Sequence, residues 1–337
     1  MGKMMTQRAG VLSELPSLLC ELGGDVTSVF DGTGIDPDTL DADTRVPFTP
    51  MLTLLERAAR QTNCPHLGLL IGQRFDFVLH GPLGKLMLTA PRLGQALMDF
   101  VTCQQSYSSG TIVYLNQFDD ICAFGYGTYA ASHRGSQILY DAVIGVALRM
   151  IEVLTNSKVK PVEIHFSHRA PEDVTAYARL LKIPMQFDQY RSCILLDAES
   201  LQVTLPSSDP ALRCRLQADI SRSILRDAPD LLTRTRQAVR HVLYTNTPSL
   251  SAVAAEMSLH PRTLERRLAQ EGETFRSLRD DVRFSVAREL LDLTEIPIGE
   301  IAAMLAFASP GVFSDAFRRR SGTSPSLWRA KTSPSWN

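Results

Sequence analysis

The apolar positions change period several times along the chain, and each change predicts an element. Leu12, Leu15, Leu18-Leu19 and Leu22 share one side of a short amphipathic helix over 12–22. Glycines, a proline and several aspartates over 25–43 predict loop with one short helix. Arg45-Val46-Pro47-Phe48 precedes a firmer helix over 49–62, which Asn63-Cys64-Pro65 ends. Residues 66–75 are apolar and glycine-punctuated, and fit either a buried helix or a strand. The stretches 81–91 and 93–103 read as helices on a shared core. From Gly110 the period falls to two, and 111–115 and 121–126 flank Asn116 to Asp120 as a hairpin. A long helix over 136–155 follows, then a strand over 162–166, a helix over 171–181 and a strand over 193–196. The front of the chain, 1–206, is expected to be an α+β domain whose helices accompany a small mixed or antiparallel sheet.

Leu205-Pro206-Ser207-Ser208-Asp209-Pro210 is the best domain boundary. Asp209-Pro210 can start a connecting helix to 226, so 207–229 reads as a connector, and Ala228-Pro229-Asp230 restarts the chain. From 230 to 330 the pattern is all helical, with 331–337 as a tail, and one plan occurs twice. In the first copy Leu250, Val253, Ala254 and Met257 form an inner face that Ser251 can cap. Ser258-Leu259-His260 breaks the period, and Pro261 restarts it at a position where proline is tolerated. Leu264 and Leu268 then point inward, beneath an outer face of Arg262, Glu265 and Arg266, with Arg267 flanking them. About fifty residues on, Ile298, Ile301, Ala302 and Leu305 repeat the inner face, Ser309-Pro310 repeats the restart, and Phe313 and Phe317 anchor the second helix. Each copy has the pattern of a helix-turn-helix. Between them 277–293 reads as one helix, about 25 Å long at 1.5 Å per residue. A spacer of that length suits two heads in successive major grooves, about 34 Å apart on one face of a duplex.

Bulk numbers sharpen this division. At 337 residues two domains are the natural expectation, and 44% apolar content is ample for their cores. The net charge of −1 hides an asymmetry. From Leu231 onward there are 15 Lys and Arg against 11 Asp and Glu, a net of +4, and the remainder carries 20 against 25, a net of −5. Phosphate binding would therefore come from placed arginines rather than from total charge. The six cysteines, Cys20, Cys64, Cys103, Cys122, Cys193 and Cys214, are scattered without a Cys-x-x-Cys, which suits reduced thiols in a cytoplasmic protein. Neither a signal peptide nor an apolar run of membrane-spanning length is recognisable, so no membrane partner is expected.

Catalytic sets are missing from the front domain: no Gly-x-Ser-x-Gly, phosphate loop or dinucleotide fingerprint is present. His66, His80, His133, His165 and His168 are read as surface or core histidines, since metal partners at ligand spacing are absent. Asp119-Asp120 is assigned to the hairpin turn. Asp141 and Arg149 lie on an otherwise apolar helix, where an ion pair or solvent contact is commoner than a ligand contact. No enzyme activity, metal or cofactor is expected.

Pro261-Arg262-Thr263-Leu264-Glu265-Arg266-Arg267-Leu268, Gly272, Phe275, Arg283, Ala287, Ile301-Ala302, Phe307, Phe313, Phe317-Arg318, Gly322 and Ser324-Pro325-Ser326-Leu327-Trp328-Arg329 together resemble the DNA-binding domain of the AraC/XylS family of bacterial transcription regulators. The chain departs from that pattern at His260, where a serine or threonine cap is usual, and at Ala306, where glycine is usual. Leu67-Gly68-Leu69, Gly81-Pro82-Leu83-Gly84 and Ala90-Pro91-Arg92-Leu93-Gly94 more diffusely resemble the arabinose-binding-like effector domain of one branch of the same family. The resemblance implies a transcription regulator, here expected to be an activator. Its expected partners are double-stranded promoter DNA, a small-molecule effector such as an amino acid, fatty acid or aromatic acid, RNA polymerase and a second copy of the chain.

Arg262, Glu265, Arg266, Val312 and Asp315 are the expected base-contacting residues, and Thr263, Arg267, Ser314, Arg318 and Arg319 the expected backbone contacts. The first unit is expected to carry most of the base readout, because the second presents few long hydrogen-bonding side chains. The competing readings are a ligand-independent regulator whose front domain only oligomerises, and an enzyme fused to a DNA reader.

Overall fold

A computed structural model describes residues 6–103, 111–128, 133–226, 230–245, 247–294 and 296–332. It divides into two units, Met1–Leu216 and Gln217–Asn337.

The first unit opens with β1 (Thr6–Arg8), which pairs antiparallel with β2 (Arg45–Pro47). The helix expected over 12–22 is split into a 3-10 turn (Gly10–Glu14) and α1 (Leu15–Glu21). Pro16 accounts for the split, since proline lacks an amide hydrogen and fits only the first turn of an α-helix. α2 (Val26–Phe30), α3 (Phe48–Gln61), α4 (Leu67–Arg74), α5 (Pro82–Leu88) and α6 (Leu93–Cys103) follow.

The predicted hairpin is present as β3 (Thr111–Phe118) and β4 (Ile121–Thr128), in register from Thr111 opposite Thr128 to Phe118 opposite Ile121. Asp119 takes the left-handed conformation of its turn, at φ 47°. After α7 (Gly135–Thr155) come β5 (Glu163–His165), α8 (Thr175–Leu181), β6 (Met185–Gln186) and β7 (Ser192–Asp197). The helix expected from Pro171 starts only at Thr175, whose amide donates to the Asp173 carboxylate at 2.8 Å just ahead of it. The five strands run in the order β3-β4-β7-β5-β6, and only β5 and β6 pair parallel, so the sheet is mixed.

α7 lies on this sheet, and α4 lies on α7. The ambiguous stretch 66–75 is therefore a helix, and its glycines show why. A β-carbon on Gly68 would stand 2.1 Å from the Ile138 carbonyl oxygen, and one on Gly72 2.2 Å from that of Ala142. Only glycine, four residues apart on one face, lets the two backbones approach so closely.

α9 (Pro210–Arg226) spans the division between the units. Asp209 accepts the Leu212 amide at 2.9 Å, and the Arg213 guanidinium grips both Asp99 carboxylate oxygens at 2.7 and 2.9 Å. The restart expected at 228–229 lies outside the described residues.

The described residues of the second unit are helical: α10 (Leu231–Thr245), α11 (Leu250–Glu256), α12 (Pro261–Gln270), α13 (Phe275–Leu293), α14 (Ile298–Met304), α15 (Pro310–Ser321) and α16 (Pro325–Thr332). α13 packs against α10 and α16, and Arg240 on α10 pairs with Glu289 on α13. α16 is a helix that the apolar pattern left unmarked. Pro325 opens it, and Ser324 accepts the Leu327 amide at 3.3 Å. Among the described residues no helix is long and apolar enough to cross a membrane.

Candidate nucleic-acid interface

The two copies turn by the same backbone device. After α11, Ser258 sits at φ 54°, and the Leu259 amide reaches back to the Ala254 carbonyl at 2.8 Å. After α14, Ala306 sits at φ 55°, and the Phe307 amide reaches back to the Ala302 carbonyl at 2.9 Å. In each, a left-handed residue lets the chain close the helix and satisfy a carbonyl that has no helical partner.

Side chains then restart the helices. His260 Nδ1 accepts the Arg262 amide at 3.3 Å, so a histidine fills the cap that serine fills in the second copy. There Ser309 accepts the Val312 amide at 3.3 Å. Pro261 and Pro310 both occupy the first turn. The cap of α11 is Ser249, which accepts the Ala252 amide at 3.2 Å; the expected cap Ser251 lies inside the helix. Ser249 precedes the first helical residue in extended conformation, and only there does a hydroxyl face the free amides.

Burial separates the two faces of each second helix. Leu264 and Leu268 are 0% exposed, and Phe313 and Phe317 are 1% and 2%. On α12, Arg262, Glu265, Arg266 and Arg267 are exposed, and Thr263 is half-buried. On α15, Val312 is 51% exposed, Asp315, Arg318 and Arg319 are exposed, and Ser314 is half-buried. Every residue expected to touch DNA therefore has at least part of its surface available. Asp315 is bound to Arg318 at 2.8 Å, so an expected base contact and an expected backbone contact form one pair.

Contacts at both ends hold α15 and the turn before it. Its last turn closes on Gly322, at φ 75°, whose amide meets the Arg318 carbonyl at 2.9 Å. Arg320 pairs with Asp281 on α13. Arg283, also on α13, donates to the Ala306 carbonyl at 3.2 Å and lies 5.1 Å from the centre of the Phe307 ring. Burial, with Arg279 nearby, lowers the pKa of Arg283.

The first unit contains a cavity of about 90 Å³. Phe100, Val113, Phe124, Val143 and Met150 supply apolar walls, and Arg8, Tyr126 and Ser192 polar ones. Strand alternation builds it: Val113 and Tyr126 are directly opposite on β3 and β4, and so share one face of the sheet. Arg8 also pairs with Asp43 at 2.5 Å. Asp141 is fully buried. It accepts from Tyr177 Oη at 2.6 Å and His168 Nε2 at 3.0 Å, whereas Arg149 is exposed and pairs with Glu152 at 2.8 Å. No metal-binding cluster occurs among the described residues.

Residues 23–205 match the family described as the arabinose-binding domain of AraC transcription regulator, N-terminal, and residues 253–331 match a helix-turn-helix domain. The ornithine utilization regulator of Pseudomonas aeruginosa is 26% identical over 322 residues, covering 94% of each chain. The transcriptional regulator VirS of Mycobacterium tuberculosis is 23% identical over 327 residues, covering 96% of each. The urease operon transcriptional activator of Escherichia coli is 25% identical over 215 residues, covering 53% of this chain and 71% of its own. Among solved structures, the transcriptional regulator CdpR of Pseudomonas aeruginosa shares the fold, with a TM-score of 0.51 at 20% identity, over 95% of this chain and 97% of that one.

Proposed function

The chain belongs to the AraC family of transcription regulators, and we propose that an effector held in its front domain, 1–206, controls how two helix-turn-helix units read promoter DNA. The observation that carries this reading is the opposed burial of the second helices: aliphatic or aromatic anchors inward at four-residue spacing, and the expected contact residues outward. An arginine on such a face can donate two bonds to a guanine edge, and a glutamate can accept from cytosine. Arg262, Glu265 and Arg266 supply that chemistry on α12. Val312 offers methyl contact on α15, and Thr263, Arg267, Ser314, Arg318 and Arg319 hold the backbone.

The cavity in the first unit is the effector site of this reading, with apolar walls and few polar anchors. Coupling between effector and DNA is typically worth about 1–3 kcal/mol, or about 5- to 150-fold in affinity. The chain acts as an activator, as the name of the urease operon relative says of that protein. RNA polymerase and a second copy of the chain are its further partners.

Sequencing the genomic fragments that the purified chain retains tests the function. Enrichment of upstream regions is expected, and retention no better than random DNA at physiological salt overturns it. Thermal shift against a metabolite library tests effector control, since a ligand at 100 times its Kd adds about 2.7 kcal/mol to native stability. Silence across a broad library favours a front domain that only oligomerises. For the division of labour, Arg266→Ala should cost about 1–3 kcal/mol of discrimination at one base position. Asp315→Ala should cost less, and the reverse order across mutated half-sites would contradict the assignment.

A further inference from the structure

A groove of about 380 Å³ lies between α13 and α15. Arg276, Arg279 and Arg283 line it from α13, three and four residues apart and so on one helix face. Arg319 and Arg320 line it from α15. The nearby acids are already engaged: Asp280 accepts from Arg279 at 2.9 and 3.0 Å, and Asp281 pairs with Arg320. Five arginines against two acids leave a net of +3 around one groove. The whole chain from Leu231 onward carries only +4. The groove is therefore one of the places where positive charge gathers in this module, beside the α12 face of Arg262, Arg266 and Arg267. Arg276 and Arg319 are exposed and have no carboxylate partner among the described residues. Like charges so placed repel one another and are stabilised by an anion.

The position of the groove identifies the anion. Val312, Ala316 and Arg319 line it, at i, i+4 and i+7 along α15. Val312 and Arg319 also belong to the set expected to touch DNA, so the groove continues from the reading face of that helix. A duplex seated on α15 carries its sugar–phosphate strand alongside.

We propose that the groove between α13 and α15 holds a DNA phosphate strand, with Arg276 on the spacer helix and Arg319 on α15 as its direct contacts. This inference rests on the DNA-reading function above. It adds a sequence-independent clamp to which the spacer helix itself contributes. Arg283, tied to the Ala306 carbonyl, positions the turn before α15.

The test is DNA binding by the full chain as a function of salt, on a retained genomic fragment and on a random-sequence duplex of equal length. Each phosphate contact contributes about 0.9 to the slope of log K against log salt. Arg276→Gln and Arg319→Gln should each flatten the slope by about that much, and the double variant by about twice it, on both duplexes. Preference for the genomic fragment should persist. Arg288→Gln, an equal charge loss on an exposed α13 residue that does not line the groove, should leave the slope unchanged. Arg276→Lys should preserve the slope and controls for folding. Wild-type slopes in both groove variants, in a protein that still binds DNA, would overturn the clamp and leave the regulator reading intact. So would a slope that Arg288→Gln flattens equally. A wild-type chain that binds neither duplex would instead sink the function on which the clamp rests.

Discussion

Both ring nitrogens of His168 meet an oxygen. Nδ1 meets the Arg169 carbonyl at 2.9 Å, an oxygen that can only accept, and Nε2 meets the Asp141 carboxylate at 3.0 Å. The imidazolium can donate to both at once. Burial by itself pushes its pKa down, but the hydrogen bond and charge of Asp141 outweigh that and hold it above the ordinary value, with smaller help from the Arg169 carbonyl and Asp188. A raised native pKa means that the proton stabilises the fold. The contribution is complete below about pH 6.5 and is lost as pH rises through the native value. The thermal midpoint of the wild type should therefore fall with rising pH above 6.5 more steeply than that of His168→Gln; parallel curves would show the ring to be neutral. A second residue carries strain. Ala306 holds a left-handed conformation at φ 55°, which costs a residue with a β-carbon roughly 1–2 kcal/mol. Ala306→Gly should remove that cost and give back part of it as chain entropy, a net gain of about 1 kcal/mol. An unchanged or lower denaturant midpoint for the second unit would show that the turn is unstrained.

At the scale of elements, the approach of α4 to α7 decides the first unit. The three atoms nearest a methyl on Gly72 would all be backbone: the Ala142 oxygen at 2.2 Å, the Gly145 α-carbon at 2.9 Å and the Val146 nitrogen at 2.9 Å. No side chain can rotate away, so the helices must separate. Gly72→Ala should destabilise the first unit by about 1–3 kcal/mol or more. A calorimetric transition of that unit within 1 °C of wild type, about 0.5 kcal/mol or less for a domain this size, would mean that the helices part freely. These glycines also mark where the chain could be read and where it could not. A glycine-punctuated apolar run fits helix or strand until its neighbour is known, because the reason for the glycines lies about seventy residues away on α7. Long periodic elements such as α3, α7 and α13 were legible, since each carries its own inner face. The strands β1, β2 and β6, of three, three and two residues, were not, because so few positions hold no period. The inward anchors of α12 and α15 followed from four-residue spacing alone. The Asp141–His168–Tyr177 cluster did not, for its members are 27 and 36 residues from Asp141 and meet only through tertiary packing.

At the scale of the whole molecule, a net charge of −1 conceals opposite halves, −5 before Leu231 and +4 after it. Non-specific attraction to DNA is governed by charge within a screening length of the duplex. At about 0.01 M ionic strength that length is about 30 Å, comparable to a small domain, so the acidic front repels the same phosphates that the arginines of the second unit attract. At about 0.15 M it shrinks to about 8 Å, and only charges close to the duplex count. The full chain should accordingly bind random-sequence duplex several-fold more weakly than a fragment beginning at residue 207 when salt is low, and the gap should close as salt approaches physiological levels. Affinities measured by fluorescence anisotropy over that range decide it. A gap that persists unchanged at high salt would mean that the front unit blocks DNA sterically; equal affinities at low salt would mean that its charge lies out of reach. Discrimination among sequences should differ little between the two chains in the absence of effector if, as proposed, base edges are read from α12 and α15, because the long-range field of the front unit treats every phosphate alike.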